Sequence, residues 1–85
     1  SQSQLEALAR ADLAHRLGAK PNEVSVVRTR AVEWPDATLG CGFTEVSSAS
    51  GATKGFVITL ARRDREYEYH ADLRTAIPCP PIEKQ

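Results

Sequence analysis

The sequence predicts an α+β domain: one N-terminal helix packed on a small antiparallel β-sheet of three to five strands, with one disulfide as a staple. Three observations predict it. Apolar residues recur every three or four positions near the N-terminus. Alternating apolar runs bounded by turn formers follow, and two cysteines sit far apart in turn-rich segments. A chain of 85 residues is one domain, 1–85, with room for a single core and a thin margin of stability.

Residues 3–17 fit an amphipathic helix. Ser3 and Glu6 have the spacing of a capping box, in which hydroxyl and carboxylate satisfy orphaned backbone donors. Leu5, Leu8, Ala9, Leu13 and Leu17 form the apolar stripe. Gly18 supplies the left-handed residue that ends a helix, Arg16 suits the negative end of the dipole, and Pro21 is a stop.

Val24 to Trp34 is rich in β-branched residues and predicts a long first strand. Its alternation is imperfect: Val24, Val26, Val32 and Trp34 share one parity, but so do Arg28 and Arg30, while Val27 and Ala31 fall on the other. A bulge or bend near Val27 would re-phase the two halves, because one extra residue switches the face. Residues 35–42 then read as a loop, 43–47 as a short strand, and 47–55 as a small, polar, flexible stretch.

Residues 55–61 and 66–71 predict a hairpin turning at Arg62 to Arg65. Phe56, Ile58 and Leu60 face one way on the first strand, and Tyr67, Tyr69 and Ala71 continue the pattern on the second. Glu66, Glu68, His70 and Asp72 take the opposite face. Residues 75–79 predict a short closing strand, with Pro78 placing it at an edge, while 1–2 and 81–85 are expected to fray. The core comprises the helix stripe, Trp34 or its neighbours, Phe56, Ile58, Leu60 and one tyrosine.

Eleven basic and eleven acidic residues cancel, and they are scattered. A nucleic-acid binder would carry a basic face to neutralise phosphates, so no nucleic-acid partner is expected. The cluster Arg62, Arg63 and Arg65 is broken by Asp64 and followed by Glu66, which reads as a solvated hairpin tip. No apolar run reaches the roughly 18 residues of a membrane span. The opening Ser1-Gln2-Ser3-Gln4 is polar, as after a removed leader or a linker.

Cys41 and Cys79 lack CxxC spacing and a histidine pair at ligand intervals, so neither a redox site nor a zinc site is expected. A Cys41–Cys79 bridge would fasten the C-terminal segment to the mid-chain loop. Closing a loop of roughly 40 residues contributes on the order of 4 kcal/mol. The alternative is a pair of unlinked buried thiols. A bridge implies an oxidising location: periplasm, cell surface or medium.

The stretch Trp34-Pro35-Asp36-Ala37-Thr38-Leu39-Gly40-Cys41, or WPDxxLGC, followed by Tyr67 to Asp72 as YxYHxD, resembles a family of small bacterial envelope or secreted domains of uncharacterised function. There, as here, a helix like Ala11 to Gly18 precedes the first motif, a strand like Gly55 to Leu60 follows it, and a second cysteine follows the YxYHxD motif. The resemblance spans most of the chain and implies a disulfide-linked extracytoplasmic domain. It departs after the first cysteine, where Gly42-Phe43-Thr44 replaces a proline-rich stretch. In shape alone the expected fold is similar to PepSY-like and cystatin-like domains, several of which act on peptidases.

Two surfaces are candidate sites. The first is the Trp34–Cys41 loop, with Trp34, Pro35, Asp36, Thr38 and Leu39 as binding residues. Pro35 fixes a dihedral, Asp36 can accept from backbone two residues on, and Cys41 would anchor the far end. Such a preorganised loop can enter a partner's cleft at little entropic cost. The competing reading is a structural corner with Trp34 as core. The second is the row Glu66, Glu68, His70 and Asp72. It could attract a cation, but one strand cannot wrap an ion, so an exposed polar face with His70 bonded to a carboxylate or to the Asp36 loop is the stronger reading. His15, near Asp12 on the helix, reads as a surface residue.

No nucleophile–base motif is present, so no enzyme activity, metal or cofactor is expected. The expectation is a non-catalytic extracytoplasmic binding module with a protein partner, a peptidase inhibitor or propeptide-like domain acting through the Trp34–Cys41 loop. The alternative is a structural accessory domain of a bacterial envelope lipoprotein or membrane assembly.

Overall fold

The computed structural model describes residues 1–36, 39–40, 50–80 and 82, without the side chains of 36 and 50–52. Helix α1 (Gln2–Leu17) is followed by a 3-10 turn at Pro21–Glu23. Strands β1 (Ser25–Asp36), β2 (Ser50–Arg62), β3 (Arg65–Ala71) and β4 (Ala76–Pro78) come next. They form one antiparallel sheet in the order β1-β2-β3-β4. The α+β class and the helix-on-sheet architecture stand as the sequence predicts.

The helix starts earlier than the Ser3–Glu6 pattern implies. Ser1 is the cap: its Oγ accepts from the Gln4 amide at 3.3 Å, and Gln4 Oε1 accepts from the Ser1 nitrogen at 3.1 Å. Glu6 is thereby freed for another task, accepting from Thr29 Oγ1 of β1 at 2.6 Å. Gly18 ends the helix at φ 67°, as expected. Leu5, Ala9, Leu13 and Ala14 are buried, Leu17 is partly so, and Leu8 is exposed at 45%. The stripe is therefore narrower than the sequence implied, rotated toward Ala14. Burying Leu5 and Leu13 contributes roughly 1.5–3 kcal/mol each.

The bulge falls at Val27. Val26 pairs with Leu60 and Arg28 with Thr59, so Val27 is an extra residue on β1, and its side chain is exposed. This one residue switches the faces. Val24 and Val26 join the helix-side core with Ile58, Leu60, Tyr69 and Ala71, while Arg28, Arg30, Val32 and Trp34 stand on the outer face. Phe56 and Tyr67 pack against the core from its rim. Trp34 is buried, but in a second layer on the far side of the sheet rather than beneath the helix.

Two segments expected to be irregular are strand. β1 runs on through Pro35 to Asp36, and β2 begins at Ser50 rather than near Gly55. Small polar residues carry no strand signal of their own, and here pairing with β1 supplies it (Trp34 with Thr53, Asp36 with Ser50). The expected strand at 43–47 lies outside the described residues. The hairpin turns at Arg63 and Asp64, with Arg62 paired to Arg65 and Arg63 at φ 58°. β4 is the short edge strand that Pro78 implied.

The helix is tied to the sheet at a second point. Asp12 Oδ2 accepts from Tyr69 Oη and from Arg16 Nε, both at 2.6 Å. Burial, reinforced by that carboxylate, holds the Tyr69 hydroxyl well above its ordinary pKa, and the Asp12 contact raises that of Arg16. Among the described residues, no helix is long and apolar enough to cross a membrane.

Candidate functional site

The site is built on the outer face where the ends of β1, β2 and β3 meet. Trp34, the only tryptophan, lies across the sheet, and its Nε1 donates to the carbonyl of Ala71 at 2.8 Å. It can reach so far because β2 offers no side chain at Gly55. A Cβ there would stand 1.9 Å from the Ala71 oxygen and 2.6 Å from Trp34 Nε1. The indole stacks on His70 with ring centroids 4.6 Å apart and an interplanar angle of 24°. An aromatic pair of this kind adds about 0.5–1.5 kcal/mol beyond its burial.

His70 is buried, 8% exposed, which corrects its placement in an open polar row. Its Nδ1 faces the carbonyl oxygen of Leu39 and its Nε2 faces Glu68 Oε2, each at 2.5 Å. Both partners the sequence offered it, a carboxylate and the loop, are therefore present, although the loop contact comes through Leu39. Asp72 leaves the row. β3 ends at Ala71, and Asp72 Oδ1 accepts from the backbone of Arg74 and Thr75 to shape the next turn. Glu66 points outward with Arg28 3.7 Å away. Among the described residues, no group of three or more His, Cys, Asp or Glu could hold a metal ion.

The loop residues divide into anchors and surface. Leu39 is 4% exposed and sits at φ 59°, and Gly40 follows at φ 75°. A left-handed leucine costs about 1–2 kcal/mol, which its burial and the His70 contact offset. Gly40 fits because a Cβ would lie 2.8 Å from Trp34 Cζ3. Trp34 and Leu39 thus hold the loop down. Pro35 and Gly40 are exposed, Asp36 ends β1, and Thr38 lies outside the described residues.

Cys79 is buried and donates its backbone N–H to the carbonyl of Glu68. Cys41 lies outside the described residues, and among the described ones no cysteine is free. The neighbours of both cysteines, Gly40 and Pro78, flank β3 at His70 and Tyr69. His15 is exposed on the helix. At the hairpin tip Arg63, Asp64 and Arg65 are exposed, whereas Arg62 is half-buried and paired with Glu23 at 3.1 Å.

Sequence reasoning missed Gly55 and the Trp34–His70 stack. The parity of β1 carried a usable signal. Once a bulge at Val27 is granted, Trp34 must share the outer face with Arg28 and Arg30, which is also the face of His70. No curated protein and no solved structure matches this chain. A family model does match, over residues 6–79 from the helix to the second cysteine, and the chain belongs to that family, described as Domain of unknown function (DUF8738).

Proposed function

We propose that this chain is a non-catalytic extracytoplasmic binding module, of the peptidase-inhibitor or propeptide-like kind, that meets a protein partner through the Trp34–Cys41 loop. The observation that supports it is the pinned Leu39–Gly40 turn. Two consecutive left-handed residues are held by a buried leucine, the Trp34 ring and a carbonyl contact to His70. Backbone strain such as that at Leu39 persists where the surroundings over-determine it, and such places cluster at active sites, ligand clamps and switch regions. In this reading Trp34 and Leu39 are supports, the exposed Pro35 and Gly40 face the partner, and Asp36 and Thr38 are the further binding residues to be tested.

The proposal includes a Cys41–Cys79 disulfide and hence an oxidising compartment. Its support is the burial of Cys79 and the approach of Gly40, the residue before Cys41, to His70 on the strand that pairs with Ile77 and Pro78.

The test is a triple variant, Pro35→Ala, Asp36→Ala and Thr38→Ala, compared with the wild type in crosslinking capture from envelope and culture-medium fractions and in an inhibition screen against secreted peptidases. Loss of a saturable partner, with a melting temperature within about 3 °C of wild type, is the expected result. Capture that is indifferent to all three changes removes the loop from the interface.

A second reading has its own observation. β1 is twelve residues long and stands at one edge of the sheet. That edge would suit a structural accessory domain docked into an envelope lipoprotein or membrane assembly by strand pairing. Crosslinks from Arg28 or Arg30 to one fixed partner, insensitive to the loop variant, would favour it.

A further inference from the structure

We propose that the open edge of β1 is a self-recognition surface. Two copies of this chain pair their β1 strands antiparallel about a two-fold axis at Ala31, joining their four-stranded sheets into one. The pairing stands apart from the loop reading and does not depend on it.

β1 is the long edge of the sheet and β4 the short one. Among the described residues, β1 pairs with β2 on one side and with nothing on the other. Such an edge presents a row of backbone donors and acceptors that a further strand completes. Arg28, Arg30, Ala31 and Glu33 are exposed along it. Arg28 reaches inward across the sheet to Glu66 of β3, 3.7 Å away, so its side chain does not shield the edge backbone. Two features bound the usable run. The Val27 bulge breaks the repeat at one end, and Pro35, which has no N–H, breaks it at the other. Residues 28–34 remain, and Ala31 is their midpoint.

Charge then selects the occupant and its register. Two copies related by a two-fold axis through the sheet place one residue opposite itself and its neighbours opposite each other in order. With Ala31 on the axis, Arg30 meets Val32, Thr29 meets Glu33 and Arg28 meets Trp34. No like charges oppose, and the whole run is used. An axis at Arg30 sets two arginines face to face, one at Thr29 sets Arg28 against Arg30 twice, and one at Glu33 opposes two carboxylates. An axis at Val32 avoids these clashes but brings Pro35 into the ladder opposite Thr29. The charges that guard this edge against strands in general therefore leave one register open, and β1 itself fits it. The methyl group of Ala31 leaves room on the axis, where two copies of one side chain meet.

An axis normal to the sheet keeps both outer faces on one side, so the two Leu39–Gly40 turns face the same way. If the loop is the binding site, the dimer presents it twice, and a partner with two matching sites is held by avidity. Only that use rests on the loop reading. A ladder this short covers an area at the low end of specific interfaces, so the dimer should be weak and reversible. Sedimentation equilibrium over roughly 5–500 µM, the range suited to a small transient interface, should show the mass climbing from one chain toward two.

Ala31→Glu, a change at an exposed position, sets two carboxylates on the axis with Glu33 on each diagonal. It should weaken association at least about 10-fold, while the melting temperature of the dilute chain stays within about 3 °C of wild type. Mixing it with Ala31→Lys should restore association as a heterodimer. Under oxidation Ala31→Cys should give a covalent dimer, because opposed strand residues stand about 4.5–5.5 Å apart at Cα, within disulfide reach. Val32→Cys, set opposite Arg30, should not. Wild type oxidised in parallel controls for Cys41 and Cys79. A chain that stays monomeric throughout, an association untouched by Ala31→Glu, or crosslinking at 32 rather than 31 overturns the pairing. If Ala31→Glu does not fold, the two cysteine variants decide alone. None of these readouts involves a partner of the loop, so the binding reading and the dimer fail separately.

Discussion

At Gly55 the chain has no room for a single methyl group. The position lies in β2 without a left-handed backbone, so conformational freedom is not the reason for glycine. The reason is the approach of Trp34, whose indole crosses this gap to reach the Ala71 carbonyl. Gly55→Ala should therefore cost at least about 3 kcal/mol, combining overpacking with a buried indole N–H left without its acceptor. In a domain this small that lowers the melting temperature by more than about 12 °C. Urea unfolding would give the number, with a red-shifted Trp34 emission before unfolding. A near-neutral result would mean that Trp34 can lie elsewhere. None of this was legible locally. Gly55 reads as the small end of a flexible stretch, because the atoms that forbid a side chain belong to residues 34 and 71. Leu39 likewise reads in the sequence as a contact residue, since nothing in a leucine announces a left-handed, buried anchor.

The elements were more legible, and the reasons lie in periodicity. The helix follows from a repeat that only a helix can bury on one side. The β2–β3 hairpin follows from alternation on both sides of a charged turn. The Val27 bulge follows from a parity that could not otherwise keep Val26 inside and Arg28 outside. What escaped was a strand end made of serine, glycine, alanine and threonine at 50–53, where pairing rather than propensity decides. The joint between helix and sheet also escaped, because Asp12 and Tyr69 are 57 residues apart. That joint makes a prediction. Tyr69 titrates at 10.0 when unperturbed, and its pKa is raised in the folded protein, so between these values the folded chain binds the proton and the unfolded chain has lost it. The contribution is whole below about pH 10 and is lost as the pH climbs through the folded value. Tyr69→Phe should be less stable by about 1.5–3 kcal/mol at pH 7, the usual worth of a bond to a charged acceptor. The gap between the two proteins should close above pH 10. Urea midpoints from pH 7 to 11 test it, and a gap that widens with pH contradicts it.

For the whole molecule, the sheet has two covered faces and only one of them lies under the helix. The outer layer of Trp34, His70 and Leu39 is small, and apolar area alone gives it little, so a covalent tie beside it would matter more than its size implies. The proposed Cys41–Cys79 bridge would enclose the β2–β3 hairpin and β4, and in the chain-entropy view it acts on the unfolded ensemble. That yields two expectations rather than one. Reduction should lower stability by on the order of 4 kcal/mol. It should also raise the dependence of stability on urea, since an uncrosslinked unfolded chain exposes more surface. Two unlinked buried thiols would behave differently: reductant would change neither midpoint nor slope, and both sulfurs would alkylate as soon as the chain unfolds without it. A Cys41→Ala, Cys79→Ala double variant separates the bridge from the packing of its sulfurs. If it matches the reduced wild type, the stabilisation came from the link. If it is much less stable than the reduced wild type, the buried Cys79 side chain also contributes by filling space, in addition to whatever reduction alone removes.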